Sequence, residues 1–389
     1  MLLAIDSTIV FCWQVYSLDF DFTPAGMLYV RIILDAIFIA LNLNRISLKK
    51  LEIYFLLWIA VSVLMGLLYL GFGDYNYKFD RLLKDSIPPI LFFLKVLIAK
   101  SFLEENSFEP KFIVIFSIII SIYQLLLFYL INASQYVYVG LTPPTNGILA
   151  GSMAYSSLTL FLTAFVLILL AGKRAYLISM AALWLFMFAV GNKFLRQKNP
   201  YFFSKITLAV TIVTAIGLLF GVQTHTTTKF QDTLSVLQTS KSTSIIQDEV
   251  SSSYGSKFSE NEKRLYLATA GRSGEFFEIL ESMTITAWVF GHGSGFTYNL
   301  RRPDKETLFG HANSHFSPLG LAYKFGVPFM ILFYVWLIYP LIKNSYPCKE
   351  HYFWAGILIL LLFQSFFAFN LFVEFLFPIA IAAMQAKKR

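Results

Sequence analysis

Apolar residues run through this chain in blocks too long to be the buried faces of a soluble domain. Runs at 53–72, 112–131, 148–170 and 329–342 approach or exceed the roughly 20 residues that carry an α-helix across a bilayer. Hydropathy places helical spans near 2–18, 26–41, 53–72, 87–103, 112–131, 148–170, 175–190, 205–221, 318–342, 352–369 and 372–386. The expected fold is all-α: a polytopic integral-membrane helical bundle of about 10–12 transmembrane helices. The first run lacks a basic start and an A-x-A-like exit, so it is expected to stay as a membrane segment. No internal repeat at a fixed period is visible, which gives a repeat-built transporter no support.

One polar interval divides the pattern. Residues 222–317 form a 96-residue stretch with 19 of the 54 charges and four of the five histidines. The expected organisation is therefore 1–221 as N-terminal membrane helices, 222–317 as a large loop, and 318–389 as C-terminal membrane helices. The loop holds nine Lys and Arg against ten Asp and Glu, a net −1, so the rest of the chain carries +9 of the total +8. Lys193, Arg196, Lys198 and Lys205 precede it by one span, and Lys343 and Lys349 follow it by one span. The positive-inside rule then puts those cations, with the tail Lys387, Lys388 and Arg389, in the cytoplasm and the loop outside, in a bacterium the periplasm. Counting further back sets Arg45, Lys49 and Lys50 outside, against the same rule, so the orientation of the N-terminal third stays open.

Within the loop, 222–260 contains 16 Ser or Thr and no apolar period, as in a linker. Farther on, Arg272, Phe276, Ile279, Leu280 and Met283 fall at helical spacing, predicting an amphipathic helix near the membrane. Gly291, His292, Gly293, Ser294 and Gly295 predict a tight turn with exposed N–H groups. They lack the flanking strand and helix of a dinucleotide fingerprint. Ser317 and Pro318 are expected as N-cap and first residue of the following helix.

Composition agrees with this picture. The chain is 57% hydrophobic and 14% charged, against about 25% charged for soluble domains, with a mean hydropathy of +0.64. A soluble enzyme, a nucleic-acid-binding domain and a secreted disulfide scaffold are excluded. Cys12 and Cys348 form neither a disulfide framework nor a metal site. The abundance of Phe and Tyr is explained by lipid contact and helix packing before sugar stacking.

Candidate chemistry is concentrated in and around the loop. His315, just ahead of a helix N-terminus that disfavours its protonation, suits a general base; the plainer alternative is a solvated loop histidine. His311 lies four residues earlier and, on a helix, would pair with it toward a metal, but no third ligand accompanies them. Lys173 and Arg174 divide two apolar runs. Lys173 reads as a snorkelling cation, whereas Arg174 either snorkels or turns inward to hold an anion. Arg272 either pairs with Glu275 on the same helix or faces a phosphate. Arg301 and Arg302 read as a solvated basic patch or headgroup contact. Arg31 and Asp35 are spaced to neutralise one another, and Lys95 and Glu374 are further charges inside expected spans.

Three motifs in order resemble a known family. An Arg-led helix (GRSGEFFEIL, 271–280) is followed by the Gly-rich turn (GHGSG, 291–295) and a His motif (HFSPLGLAYKFG, 315–326). The element GKRA at 172–175 is similar to that family's basic element in an earlier span. Over about 160–327 the chain looks like the O-antigen polymerase and ligase superfamily (Wzy/WaaL-like). Phe316 stands where the family often has Asn, and Asn313 comes two residues before the histidine.

The resemblance implies a metal-independent GT-C-type glycosyltransferase without a cofactor, in the bacterial inner membrane with its site facing the periplasm. Arg174 and Arg272 would bind the pyrophosphate of an undecaprenyl-linked oligosaccharide, and His315 would act on the acceptor hydroxyl. Membrane lipids and a polysaccharide chain-length regulator are the further partners it suggests, and nucleic acid is not among them. Within the superfamily a polymerase is favoured, with a ligase that transfers polymer to lipid A–core as runner-up. A lipid-linked sugar flippase is the alternative from another class.

Overall fold

The apolar runs at 53–72 and 112–131 fold as two of the longest described helices. The computed structural model describes residues 24–46, 50–105, 109–130, 144–171, 174–190, 201–202, 204–208, 210, 272–300, 308–311, 314, 316–343, 349–367, 372, 374 and 376–386. The expected spans at 2–18 and, for the most part, 205–221 lie outside them, as does the Ser/Thr-rich 222–260. The helices in the N-terminal half are α1 (Pro24–Ala40), α2 (Lys50–Gly71), α3 (Phe79–Glu105), α4 (Pro110–Leu130), α5 (Thr145–Tyr155), α6 (Leu158–Ala171) and α7 (Arg174–Val190). The C-terminal half contains α8 (Arg272–Ser282), α9 (Ile285–Phe290), α10 (Ser317–Phe325), α11 (Val327–Lys343), α12 (Lys349–Gln364) and α13 (Leu376–Gln385). Strands β1 (Tyr298–Leu300) and β2 (Leu308–His311) pair antiparallel, with Tyr298 opposite His311.

The described fold is thus mostly helical, with one small hairpin that hydropathy did not anticipate. Among the described residues, two helices are long and apolar enough to cross a membrane, Leu51–Gly71 and Phe79–Glu105. The core is aromatic. Phe55 of α2 stacks on Phe93 of α3 at 5.0 Å and meets Phe329 of α11 edge-on at 5.4 Å. Phe333 and Trp336 continue the cluster along α11. Helix α12 lies between α5 and α7, and α13 packs on α3 and α12.

Two expected spans are not single helices. The run at 148–170 breaks at Ser156, which adopts a left-handed φ of 51°. Ser157 then restarts the chain, its hydroxyl accepting the Leu160 N–H at 3.3 Å. Two consecutive serines compete for backbone groups as caps do, which hydropathy averaging hides. The run at 318–342 breaks at Gly326, with φ +90°. There α10 turns back on α11. The N–H of Ser317 donates to the Ser365 carbonyl at 2.9 Å, and the Tyr334 hydroxyl pairs with the Ser365 hydroxyl at 3.0 Å. One residue therefore touches the first residue of α10 and a point two turns into α11. The cap also shifts by one position from expectation: Phe316 is the N-cap, and Ser317 is already helical.

Asp35 pairs with a residue that its spacing did not suggest, while the side chain of Arg31 lies outside the described residues. The Asp35 carboxylate accepts from Lys95 of α3 at 2.6 Å, in a mostly buried pair joining α1 to α3.

Candidate functional site

A polar seam crosses the apolar core at the end of α12. Gln364, near the end of one apolar run, and Asn146, just ahead of another, form a reciprocal amide pair. Asn146 Nδ2 donates to Gln364 Oε1 at 3.1 Å, and Gln364 Nε2 donates to Asn146 Oδ1 at 2.8 Å. Gln364 Nε2 also reaches Ser179 Oγ of α7 at 3.3 Å. Ser365, the next residue, holds Ser317 and Tyr334 as described above. Buried amides and hydroxyls are costly unless hydrogen-bonded, so these pairings fix one register among five helices. Asn146 is the second residue of α5, Ser317 the first of α10, and Ser179 lies less than two turns into α7. Three helix N-termini thus gather at one end of α12, each carrying partial positive charge. Tyr176 of α7 and Glu374 lie within electrostatic reach of each other near the same end of the bundle.

The loop motifs converge on the α10 hairpin from its other side. Helix α8 is amphipathic, with Ile279 and Met283 buried with Leu319 and Tyr323 of α10, but Phe276, expected on the same apolar face, is exposed and Glu275 is buried in its stead. Thr284 caps α9, its hydroxyl accepting from the Ala287 N–H at 3.2 Å. The Gly-rich turn follows, and here the expectation of exposed N–H groups is overturned. Gly291 donates to Ala287 O, His292 to Tyr323 O, Gly293 to Lys324 O and Ser294 to Ser62 O, at 2.8–3.1 Å. Gly295 donates to Asp85 Oδ2 at 3.1 Å.

The turn is therefore a clasp and not an anion cradle. Its alternating positive φ values of 76°, 87° and 91° at Gly291, Gly293 and Gly295 require glycine. Gly66 of α2 lets it approach, since a Cβ there would stand 2.0 Å from Ser294 O. Asp85 of α3 also accepts from Lys324 of α10 in a buried ion pair, and Tyr77 Oη donates to His292 O at 2.6 Å.

His292 lies flat on Phe296, with centroids 4.1 Å apart. Burial pulls its pKa down to about 4, opposed by a hydrogen bond to the Ser282 backbone. The folded imidazole is neutral where the unfolded one, near 6.5, takes up a proton. Stability is therefore complete above about pH 6.5 and falls as pH drops toward 4, by roughly 2–3 kcal/mol from this group. Thermal unfolding in detergent should show this acid loss, and His292→Gln should flatten it. An unchanged slope in that variant would remove His292 as its source.

Arg174 opens α7 and Arg272 opens α8. Their side chains, together with Lys173, Arg301, Arg302 and His315, lie outside the described part of the structure. Ser314 and Phe316, on either side of His315, are described: Ser314 Oγ accepts the Phe316 N–H at 3.2 Å, and Phe316 packs on Phe366 with centroids 5.6 Å apart. His311 is in a strand, so the helical four-residue spacing that suggested a metal pair with His315 does not exist. Glu275 is buried at 5% exposure. Burial pushes the Tyr298 phenol above the usual tyrosine range, and Glu275, with Glu278, adds to that shift. Glu275 faces β1 as well as its own helix, which the i,i+3 spacing to Arg272 did not suggest.

Asn146, Ser179, Gln364, Ser365 and Asp85 were missed from sequence. The legible signal for Gln364 was an amide inside an apolar run, whereas Asn146 lies in the polar segment TPPTN (142–146) ahead of one. No family model, no curated protein and no solved structure matches the chain.

Proposed function

We propose that this chain is a polytopic bacterial inner-membrane glycosyltransferase that polymerises surface polysaccharide. The observation that carries this reading is the meeting of distant motif segments at the end of α12. Gln364 holds Ser179 on the helix that Arg174 opens, and Ser365 holds Ser317, two residues after His315. Segments about 140 residues apart in sequence thus share one polar node, and the Arg272 helix packs on the same α10. Membrane residence is supported by α2, whose Leu57, Leu64 and Leu68 are 57%, 57% and 52% exposed. An apolar face of that kind needs lipid or protein to cover it.

In the proposed reaction a sugar hydroxyl of one lipid-linked repeat unit attacks the anomeric carbon of a second glycan. The new C–O bond forms as the bond to undecaprenyl pyrophosphate breaks. His315 takes the hydroxyl proton, and the leaving pyrophosphate departs with its electron pair against Arg174 and Arg272. The ligase reaction, with lipid A–core as acceptor, uses the same groups. The basic residues and histidines around a long external loop favour transfer over flipping, which has no use for such a loop.

Polysaccharide from a strain deleted for the gene separates these readings on a gel. A polymerase deletion leaves lipid A–core with a single repeat unit, whereas a ligase deletion leaves bare core and accumulates lipid-linked polymer. His315→Ala, Arg272→Ala and Arg174→Ala, at normal membrane levels, are expected to reproduce the deletion. A normal ladder from His315→Ala would overturn the catalytic assignment.

A further inference from the structure

Helix α5 begins inside the protein without a cap. It spans 11 residues, and its first-turn residues Thr145, Asn146, Gly147 and Ile148 are all buried. Pro144 at the N-cap position gives no side-chain hydrogen bond. The first N–H groups of any helix lack intrahelical acceptors, and burial without a partner leaves them costly and electropositive. A second, separate observation points to a ligand. The Thr145 hydroxyl is on a residue only 1% exposed and has no hydrogen-bond partner among the described residues. Helical side chains lean toward the N-terminus of their helix, so this hydroxyl stands on the same side as the first-turn N–H groups.

The surroundings favour a negatively charged occupant. Asn146 is turned to Gln364 and so is already satisfied. Through Gln364 the start of α5 adjoins the first turns of α7, which Arg174 opens five residues before Ser179. That distance is about 7.5 Å of helix rise. The start of α10 meets the same end of α12 through Ser317 and Ser365. Half-length helices that begin within a bundle use their N-termini in this way to hold anionic groups.

We propose that the start of α5 is an anion site, in which the Thr145 hydroxyl and the first-turn N–H groups bind a phosphate group. Only the owner of that phosphate, a lipid-linked glycan, rests on the function proposed above. Thr145 would be a binding residue additional to the two arginines, supplied by a helix that none of the sequence motifs includes.

The test is calorimetric titration of purified full-length protein in detergent with inorganic pyrophosphate and, separately, farnesyl pyrophosphate. Wild type is expected to bind saturably. Thr145→Val, which keeps the shape and removes the hydroxyl, should bind about tenfold or more weakly, and Thr145→Ser should stay close to wild type. Thr145→Val binding as tightly as wild type, or wild type binding neither probe, would overturn the proposal. If the valine variant is not monodisperse, Thr145→Ala is read in the same way. Tighter binding of the farnesyl compound assigns the site to a lipid-linked pyrophosphate; equal affinity assigns it to the free anion. Thr145-dependent binding together with a normal polysaccharide ladder on gene deletion would keep the site and discard the polymerase. The reverse result would keep the polymerase and discard the site.

Discussion

Asp85→Ala is expected to cost about 3–5 kcal/mol, enough to unfold the clasp between the loop and the helical body. Two losses combine. The Lys324 ammonium, with its side chain 13% exposed, is left without its carboxylate, and the Gly295 N–H loses its acceptor. A buried charge stripped of its partner is worse than no pair at all. Asp85→Asn should therefore fall between, since an amide oxygen still accepts from Gly295, and Asp85→Ala with Lys324→Met should recover much of the loss. Thermal unfolding of the four proteins in one detergent measures the cycle. A single Asp85→Ala that unfolds within about 1 kcal/mol of wild type would show that the pair is solvated.

Gly326→Ala is expected to separate α10 from the rest of the site. Its φ of +90° disfavours any side chain, and a Cβ would lie 2.1 Å from Val289 O, a backbone atom at the end of α9. That backbone, positive in φ and extended in ψ, is confined to glycine and alone costs a side chain about 1–3 kcal/mol, and relief of the clash must move either α9 or the hairpin. Ser317 and Tyr334 then no longer share Ser365, so thermal stability should fall, and with it the polymerisation proposed for this chain. Gly320→Ala is the matched control. Its Cβ would meet only Ser314 Cβ at 3.6 Å, and its φ is ordinary. Equal behaviour of the two variants would show that the break at Gly326 is incidental.

Both predictions rest on contacts that span more than 200 residues or reverse a helix, which is why neither was legible in the pattern. Asp85 reads from sequence as one more charge at the edge of a span; only the arrival of Gly295 and Lys324 gives it a role. The run HFSPLGLAYKFG looked like the start of one crossing helix because hydropathy is summed along the chain and carries no sign of direction. Gly326 was visible in it, but the atom that makes it indispensable belongs to Val289. The Gly-rich turn shows the same limit: its conformation followed from three alternating glycines, while the fate of its N–H groups depended on α2, α3 and α10.

What the chain by itself determines is local and cumulative. Long apolar runs make helices because a buried backbone must satisfy its own hydrogen bonds. The 3.6-residue period at 272–283 made α8 amphipathic, and it buries Ile279 and Met283 as that period requires. What only the tertiary structure decided is which polar residues meet. Ser179, Gln364 and Ser365 each look like a minor interruption of an apolar run, and Asn146 like the end of the polar segment before one. Inside an apolar core they must find one another, and the place where they do is set by how the helices pack.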